Sequence, residues 1–505
     1  DDSKLNISYV GYLSLNIPVA QVPGTIKLQE DKQTLDEIVI VGYGTQKRKD
    51  FTGSVSSLKL ENSPIALSPN TNALEALKGT TTGLDIGASN SAGGTPSMQI
   101  RGQKSIKGSN DPLIVLDGVV FLGSLRDIDP NTIASYDVLK DATSAAAYGS
   151  RAANGVIIIT TKKGKIGKPV ISFNTSVGTQ RWQQKPQLAN AETYVRSVNV
   201  RQGLAEDADP MGWLNASPAE NYQKGESVNW LDEISRNGLM QNYQVSIAGG
   251  SEKMTYYLST SYTDQEGVIV GDDYSRMSLS AKISTDITDW LQIGMNGSYN
   301  YSDYSGVGAN VYNAMTMNPY GKKYWDAENK KLERWPDYQS TENPLWGTEN
   351  TRSDLDTYNN FRIVAHALIK CPWLDGLSYR FNYMQTGDFI YRDQFYYESH
   401  YIQEGNNPER YSSESLQKLL ATANGSKAHT NVNSYVFDHI LNYKQVFDKH
   451  SIDATLVYTR DSYHSKKTTS TGTDFSANGN TALGIDGLPK AGVQKVDQEN
   501  VEKRN

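Results

Sequence analysis

Beyond Lys168 the chain alternates apolar and polar residues one by one, in stretch after stretch, and few architectures tolerate that pattern. Odd-numbered Tyr243, Val245 and Ile247 alternate with Asn242, Gln244 and Ser246, while Met254, Tyr256, Leu258 and Tyr262 share one face of the next stretch. The spacing recurs at Met277, Leu279, Ala281 and Ile283, and at Leu291, Ile293, Met295, Tyr299 and Tyr301. It returns at Phe361, Ile363, Ala365 and Ala367; at Tyr379, Phe381 and Tyr383; at Tyr435, Phe437, Leu441 and Tyr443; and at Ile452, Ala454, Leu456 and Tyr458. With Ile171, Phe173 and Val177 at the start, about nine long strands are expected, because a period of two is the signature of a strand with two unlike faces.

The links between these strands carry a second regularity. Those at 249–253, 286–289, 372–376 and 446–450 are short, whereas 181–240, 303–358 and 389–430 are long, polar and aromatic-rich, with a medium link at 264–274. Alternating short and long links suit a membrane barrel, with short periplasmic turns at one end and longer external loops at the other. The 31 tyrosines, many near strand ends, suit aromatic girdles at the membrane interfaces. No stretch has the apolar length of a membrane helix; the best candidate, Pro112 to Gly123, is short and carries Asp117. From the residues alone a membrane barrel and a soluble or surface-exposed β-protein, such as a glycan-binding or adhesion module, both stay open.

Upstream, residues 51–164 read as a compact α+β region. A short helix is expected over Ala73–Gly79, strands at Met98–Gly102, Leu113–Val119, Tyr136–Lys140 and Gly155–Gly164, and an alanine-rich turn or helix over Ala142–Tyr148. Residues 34–50 hold an acidic pair, Asp36 and Glu37, then the apolar run Ile38, Val39, Ile40 and Val41, then the basic cluster Lys47 to Lys49. Such a run is either an interior strand or an exposed segment able to join the edge of a partner's sheet. Residues 1–31 read as the end of a small β-domain.

The composition removes several function classes. A net charge of −7 argues against a basic nucleic-acid binder, and a single cysteine, Cys371, makes neither an internal disulfide nor a thiolate cluster. The six histidines are scattered from His366 to His464 without ligand spacing, so no metal or other cofactor is called for. No HExxH, G-x-S-x-G or phosphate-binding glycine loop is present, and the chain is not read as an enzyme.

Several blocks resemble the SusC-like (SusC/RagA) branch of the TonB-dependent outer-membrane transporters of Bacteroidetes-type bacteria. LDEIVIVGYGTQKR at 35–48 is similar to that family's TonB box, and ALEALKGTTTGLDI at 73–86, MQIRG at 98–102 and PLIVLDGV at 112–119 to its plug. The longest match is YDVLKDATSAAAYGSRAANGVIIITTKKG at 136–164; YYLSTSYTDQEGVI at 256–269 resembles the start of the barrel. The resemblance implies a transmembrane β-barrel with an N-terminal α+β plug, preceded by the end of a small β-sandwich-like, carboxypeptidase-regulatory-like domain at 1–31. It divides the chain into TonB box and linker at 34–50, plug at 51–164, first barrel strands at 168–463 and a loop or tail at 464–505. Barrels of this family have 22 strands, so about nine strands imply the N-terminal half of a receptor.

The resemblance also implies roles. The function is TonB-dependent import of a glycan or oligopeptide across the outer membrane, in which TonB, driven by ExbB and ExbD, pairs with Asp36, Glu37, Ile38, Val39, Ile40 and Val41. Arg101 and Arg151 are candidates for ion pairs with Asp117, Asp141 or the barrel wall, since a guanidinium pairs bidentately with a carboxylate; surface charges are the plainer reading. Gly102, Gly118, Gly149 and Gly155 are expected at tight turns or close backbone approaches. Trp182, Trp213, Trp230, Trp325, Trp335 and Trp346 are candidates for contact with ligand or with a SusD-like lipoprotein lid. Outer-membrane lipid would surround the barrel, and channel–lipoprotein pairs could dimerise.

Overall fold

The computed structural model describes residues 4–7, 15–18, 26, 38–41, 44–47, 54–60, 72–89, 91–141, 146–337, 341–396, 424–448, 450–475 and 480–504, with the strands before 54 described by backbone alone. Two short hairpins come first: β1 (Lys4–Ile7) pairs with β2 (Leu15–Pro18), and β3 (Ile38–Val41) with β4 (Gly44–Lys47), both antiparallel. The run Ile38–Val41 is therefore a strand of a two-stranded sheet and not of the larger sheet that follows. Asp36 and Glu37 lie outside the described residues.

A five-stranded sheet forms the centre of the next region. It is built from β5 (Val55–Lys59), β8 (Leu113–Leu116), β9 (Val119–Val120), β10 (Ile133–Leu139) and β11 (Val156–Thr161), in the order β5-β10-β11-β8-β9. β6 (Leu84–Ile86) and β7 (Met98–Ile100) make a separate antiparallel pair. β11 lies between a parallel and an antiparallel neighbour, and both its faces are covered. Ile157 and Ile159 enter one apolar cluster with Leu74, Leu77 and Tyr136, while Val156 and Ile158 enter another with Val115 and Tyr148. This is why the sequence there is continuously apolar and does not alternate. The helix expected over Ala73–Gly79 is only a 3-10 turn at Glu75–Leu77, since so short a segment scarcely repays helix nucleation.

The third region is one antiparallel sheet of ten described strands in chain order. These are β12 (Gly167–Gln180), β13 (Gly238–Gly250), β14 (Met254–Glu266), β15 (Asp273–Asp286), β16 (Leu291–Asp303), β19 (Thr351–Lys370), β20 (Leu377–Tyr396), β21 (Asn424–Phe447), β22 (His450–Thr473) and β23 (Val493–Arg504). A small hairpin, β17 (Tyr324–Asp326) with β18 (Lys331–Leu332), sits within one long link. The nine stretches marked by alternation are all strands. β23 is a tenth, pairing with β22 from Ser462↔Arg504 to Thr473↔Val493, where a loop or tail was expected at 464–505. Likewise β20 runs to Tyr396, into a stretch expected to be loop. The outer ends of these strands, such as SYHSKKTTSTGT at 462–473, are polar on both faces and carry no alternation to read.

The sheet is inverted relative to that of a water-soluble protein. Leu279, Met277, Met295, Leu258, Leu456 and Tyr458 are exposed, while Asn242, Gln244, Ser261, Arg276, Ser278, Asn300, Asn382 and Asp438 are buried on the opposite face. Leu456 is 70% exposed and Met277 57%. Each such side chain left in water forgoes roughly 1.5–3 kcal/mol of burial, so a row of them across nine strands calls for an apolar solvent. The inner face wraps the five-stranded region, and Val364, Met384 and Val436 of the wall complete its apolar cluster. A strand of 24 residues spans about 80 Å at roughly 3.3 Å per residue, well beyond the ~30 Å of a bilayer's hydrocarbon even when tilted, so β21 and β22 project past it.

Candidate functional site

The functional geometry lies where the inner domain, the plug of the wall, meets the wall's buried polar face. The β8–β9 hairpin turns at Asp117 (φ 51°) and Gly118 (φ 86°), an Asp-Gly pair with the two positive φ values that a tight two-residue hairpin requires. The turn aims the Asp117 carboxylate at the wall. One oxygen accepts from the Thr161 amide at 2.9 Å and from Lys282 Nζ at 3.1 Å; the other accepts from Thr161 Oγ1 at 2.6 Å and Asn296 Nδ2 at 2.8 Å. Lys282 Nζ also donates to Thr161 Oγ1 at 2.8 Å. Burial pushes the Asp117 carboxyl up, but the Lys282 ammonium and the Thr161 donors outweigh it and hold the group below the usual carboxylate range.

A second contact centres on Asp129, which is buried with Arg276 of β15. Asp129 accepts from Ser261 Oγ of β14 at 2.7 Å and from the Asn131 amide at 3.0 Å, and Arg276 Nη2 lies 3.6 Å away. Gln244 Nε2 of β13 donates to the Asn131 carbonyl at 3.2 Å. A third contact joins Arg151 to Asp461 of β22 at 2.7 Å. Removing the plug would strip partners from charges that the wall keeps from water, at a cost of several kcal/mol for each fully buried one.

A fourth contact is made by a glycine-containing loop of the plug at its end nearest the long links. Ala92 N donates to Asp272 at 3.0 Å, Gly93 N to Gln265 Oε1 at 3.0 Å, and Tyr304 OH to the Gly93 carbonyl at 3.2 Å. A Cβ on Gly93 would sit 2.3 Å from the Tyr274 ring, so the loop closes on the wall only because position 93 has none. Beside it lies a half-open cavity of about 210 Å³ between Ser91–Gly94, Arg126, Tyr304 and the Asp356–Arg392 pair. The Arg126 guanidinium stacks 5.0 Å from the Tyr358 ring centre and 5.6 Å from that of Tyr304. Next to it, burial and then the nearby Asp388 push the Asp127 carboxyl up to about 7.

The residues singled out in the sequence divide accordingly. Asp117, Gly118 and Arg151 lie at plug–wall contacts, although the cation facing Asp117 is Lys282 of the wall and not an arginine of the plug. Arg101 is exposed and sits with Gly102 in a turn, at φ 58° and 82°. Asp141 accepts from the Ser54 amide and so joins β10 to β5 within the plug. Gly149 (φ 65°) breaks a 3-10 segment, and a Cβ on Gly155 (φ 92°) would meet Ile100 at 2.8 Å. Lys282, Arg276 and Arg126 escaped attention, though a charge within a strand on its polar face, as Arg276 beside Met277 and Lys282 beside Ile283 are, is a usable signal.

The tryptophans separate into two kinds. The links 181–237 and 304–350 pack on each other around a core of Trp230, Leu231, Ile234, Met317, Leu345 and Trp346, with Trp182 packed against it. Trp230 is 1% exposed and donates to the Asn318 carbonyl at 2.9 Å, so it and Trp346 are structural and not surface contacts for a ligand or a lid. Trp213 donates to Asn199 Oδ1 at 2.7 Å; Trp325 and Trp335 lie half-buried under Lys331 and Arg334.

Comparison with known proteins agrees with this geometry. The profile of the TonB-dependent Receptor Plug Domain matches residues 47–156. The chain is 38% identical over 298 residues to TonB-dependent receptor P3 of Formosa agariphila, covering 58% of this chain and 27% of that protein. It is 32% identical over 358 residues to TonB-dependent receptor SusC of Bacteroides thetaiotaomicron, covering 67% of this chain and 34% of SusC. In fold it is similar to a chain of the RagAB peptide importer in its open-open state, with a TM-score of 0.74 and 21% identity, covering 93% of this chain and 54% of that one. The chain thus spans about a third or less of these curated relatives and about half of the solved importer chain.

Proposed function

We propose, from a chain that carries a TonB-dependent receptor plug domain and is homologous to the SusC/RagA TonB-dependent receptors, that it forms the plug and first wall strands of an outer-membrane importer. The observation that carries this is the inverted sheet: apolar residues outward, polar residues inward, and the plug bonded to the inward face at Asp117, Asp129, Ala92–Gly93 and Arg151. The wall belongs to a closed barrel, of 22 strands by family resemblance, because an open sheet edge in lipid leaves backbone groups without partners. A lumen of that width has to be plugged. The protein is a channel, not an enzyme, and lies in the outer membrane.

Its cargo is a glycan or oligopeptide, handed over by a SusD-like lipoprotein lid that meets the packed external links; such pairs would assemble as a dimer. TonB, energised by ExbB and ExbD, takes hold of residues Asp36–Val41 by strand pairing, competing with the β3–β4 hairpin for the same backbone groups. Force then reaches the plug through β5. Contacts such as Asp117–Lys282 resist it, and their hydrogen bonds reform once the load is released.

Deletion of residues 36–41 from the full receptor, in cells that also express the lipoprotein, tests this reading. Uptake of labelled oligosaccharide or oligopeptide should fall to the level of a TonB-deficient strain while the receptor stays in the outer membrane. Uptake that continues unchanged would overturn the import mechanism.

A further inference from the structure

Among the described residues, Arg126 at the cavity of the plug's outer loop forms no direct ion pair, and Asp127 and Asp388 act on it only through space. Arg126 is carried by a 3-10 turn, Leu125–Asp127, whose conformation is fixed when the Ser124 amide donates to Asp127 Oδ2 at 2.8 Å. The turn places the guanidinium against Tyr304 and Tyr358, and its buried Nε has no hydrogen-bond partner among the described residues. The neighbouring acids are otherwise engaged: Asp356 accepts from Arg392 Nε at 3.0 and 3.1 Å, Asp272 from Ala92 N, Asp273 from Arg236, and Asp388 from Asn360. An arginine braced by two rings beside a cavity, with donors left over, is built to receive an oxyanion.

The rim selects which oxyanion. Asp272, Asp273 and Asp356 line the same cavity with Arg392, and even with Asp273 and Asp356 paired to Arg236 and Arg392 the rim adds no net positive charge for a phosphate dianion or a polyanion. A single carboxylate flanked by hydrogen-bond donors satisfies both sides, since Arg126 takes the charge and the rim carboxylates accept from neighbouring N–H or O–H groups. A volume of about 210 Å³ admits roughly one amino-acid residue or one sugar ring.

We propose that Arg126, backed by Tyr304 and Tyr358, binds a carboxylate of the incoming oligomer, so that the importer selects acidic cargo: a peptide bearing Asp, Glu or a free C-terminus, or a glycan bearing a uronic acid. This rests on the import reading. Charge-assisted arginine–carboxylate pairing away from bulk water contributes about 10- to 100-fold in affinity.

The test measures TonB-dependent uptake by cells expressing the full receptor, using two matched pairs of labelled probes. One pair is a glutamate-containing pentapeptide and its glutamine counterpart, amidated at the C-terminus; the other is a galacturonate trimer and its carboxyl-reduced form. Wild type should prefer the acidic member of one pair, and that pair identifies the source of the carboxylate. Arg126→Gln, at matched outer-membrane abundance, should lower this preference about 10- to 100-fold, and Arg126→Lys should restore part of it. An equal preference in wild type and Arg126→Gln overturns the assignment. So does TonB-dependent uptake confined to neutral probes, which leaves import standing. Uptake of all probes that persists without residues 36–41 overturns the import reading instead.

Discussion

The plug sheet and the wall sheet are made of the same strands and hydrogen bonds, yet they place their apolar residues oppositely. In the plug, Val156 to Ile159 are all buried, two on each side of the sheet. In the wall, Met277 and Leu279 are exposed while the alternating Arg276 and Ser278 are buried. Strand formation is thus indifferent to the direction of the apolar face; the surroundings decide it. Protein covers both faces of the plug sheet, whereas the wall has the plug on one side and, on this account, lipid on the other.

That contrast can be broken at single positions. Ile157→Ala should cost the plug about 2–5 kcal/mol, measured by denaturant unfolding in detergent, because the cavity is enclosed on all sides. Leu279→Arg is next: at the bilayer midplane it should cost roughly 2–4 kcal/mol in folding into vesicles, while a water-facing wall would accept it at almost no cost. At the boundary between the sheets, Asp117→Ala should cost about 1–3 kcal/mol by stranding Lys282, and Lys282→Met in the same chain should recover part of that. A double mutant no better than Asp117→Ala alone would mean that the pair does not hold the plug.

The smallest effect concerns pH. Asp127 has its carboxyl raised to about 7 by burial and by Asp388, so the folded protein binds this proton more tightly than the unfolded chain. The group therefore costs no stability at low pH and weakens the plug progressively as pH rises toward and through 7. Asp127→Asn should flatten this slope in melting experiments between pH 5 and 9, with the variant gaining on wild type at the alkaline end. Asp117 is shifted the other way and loses its contribution only as pH falls below the ordinary carboxylate range, outside that window. A wild-type melting profile that is flat between pH 5 and 9 would contradict the assignment for Asp127.

Legibility followed the same division. Alternation revealed the wall wherever lipid and plug impose different demands on the two faces, as at Tyr243–Ile247 or Met277–Ile283. It failed beyond the apolar band, in 462–473 and 493–504, where both faces are polar and pairing rests on the backbone. Gly118 was readable at a tight turn because glycine suits positive φ. Asp117 was expected inside one strand over Leu113–Val119, whereas that strand ends at Leu116 and the chain turns at 117–118. The identity of its partner was not readable, because Lys282 lies 165 positions away and becomes a neighbour only where the wall sheet packs against the plug. Tryptophan count pointed to the external links, but it could not distinguish Trp230, which is core, from Trp213 and Trp325 nearer the surface.

The central claim is that the outward face of the wall lies against lipid. Its most direct test uses the full receptor in outer-membrane vesicles, cleared of native thiols by Cys371→Ser and replacement of any other cysteine, with a bimane fluorophore attached at Leu279→Cys or at the adjacent Ser278→Cys. Nitroxides on lipid chains should quench the label at 279 and leave 278 bright, and aqueous iodide should quench neither strongly. Strong iodide quenching at 279, with no effect of the lipid nitroxides, would mean that this face meets water and that the wall is not a membrane barrel.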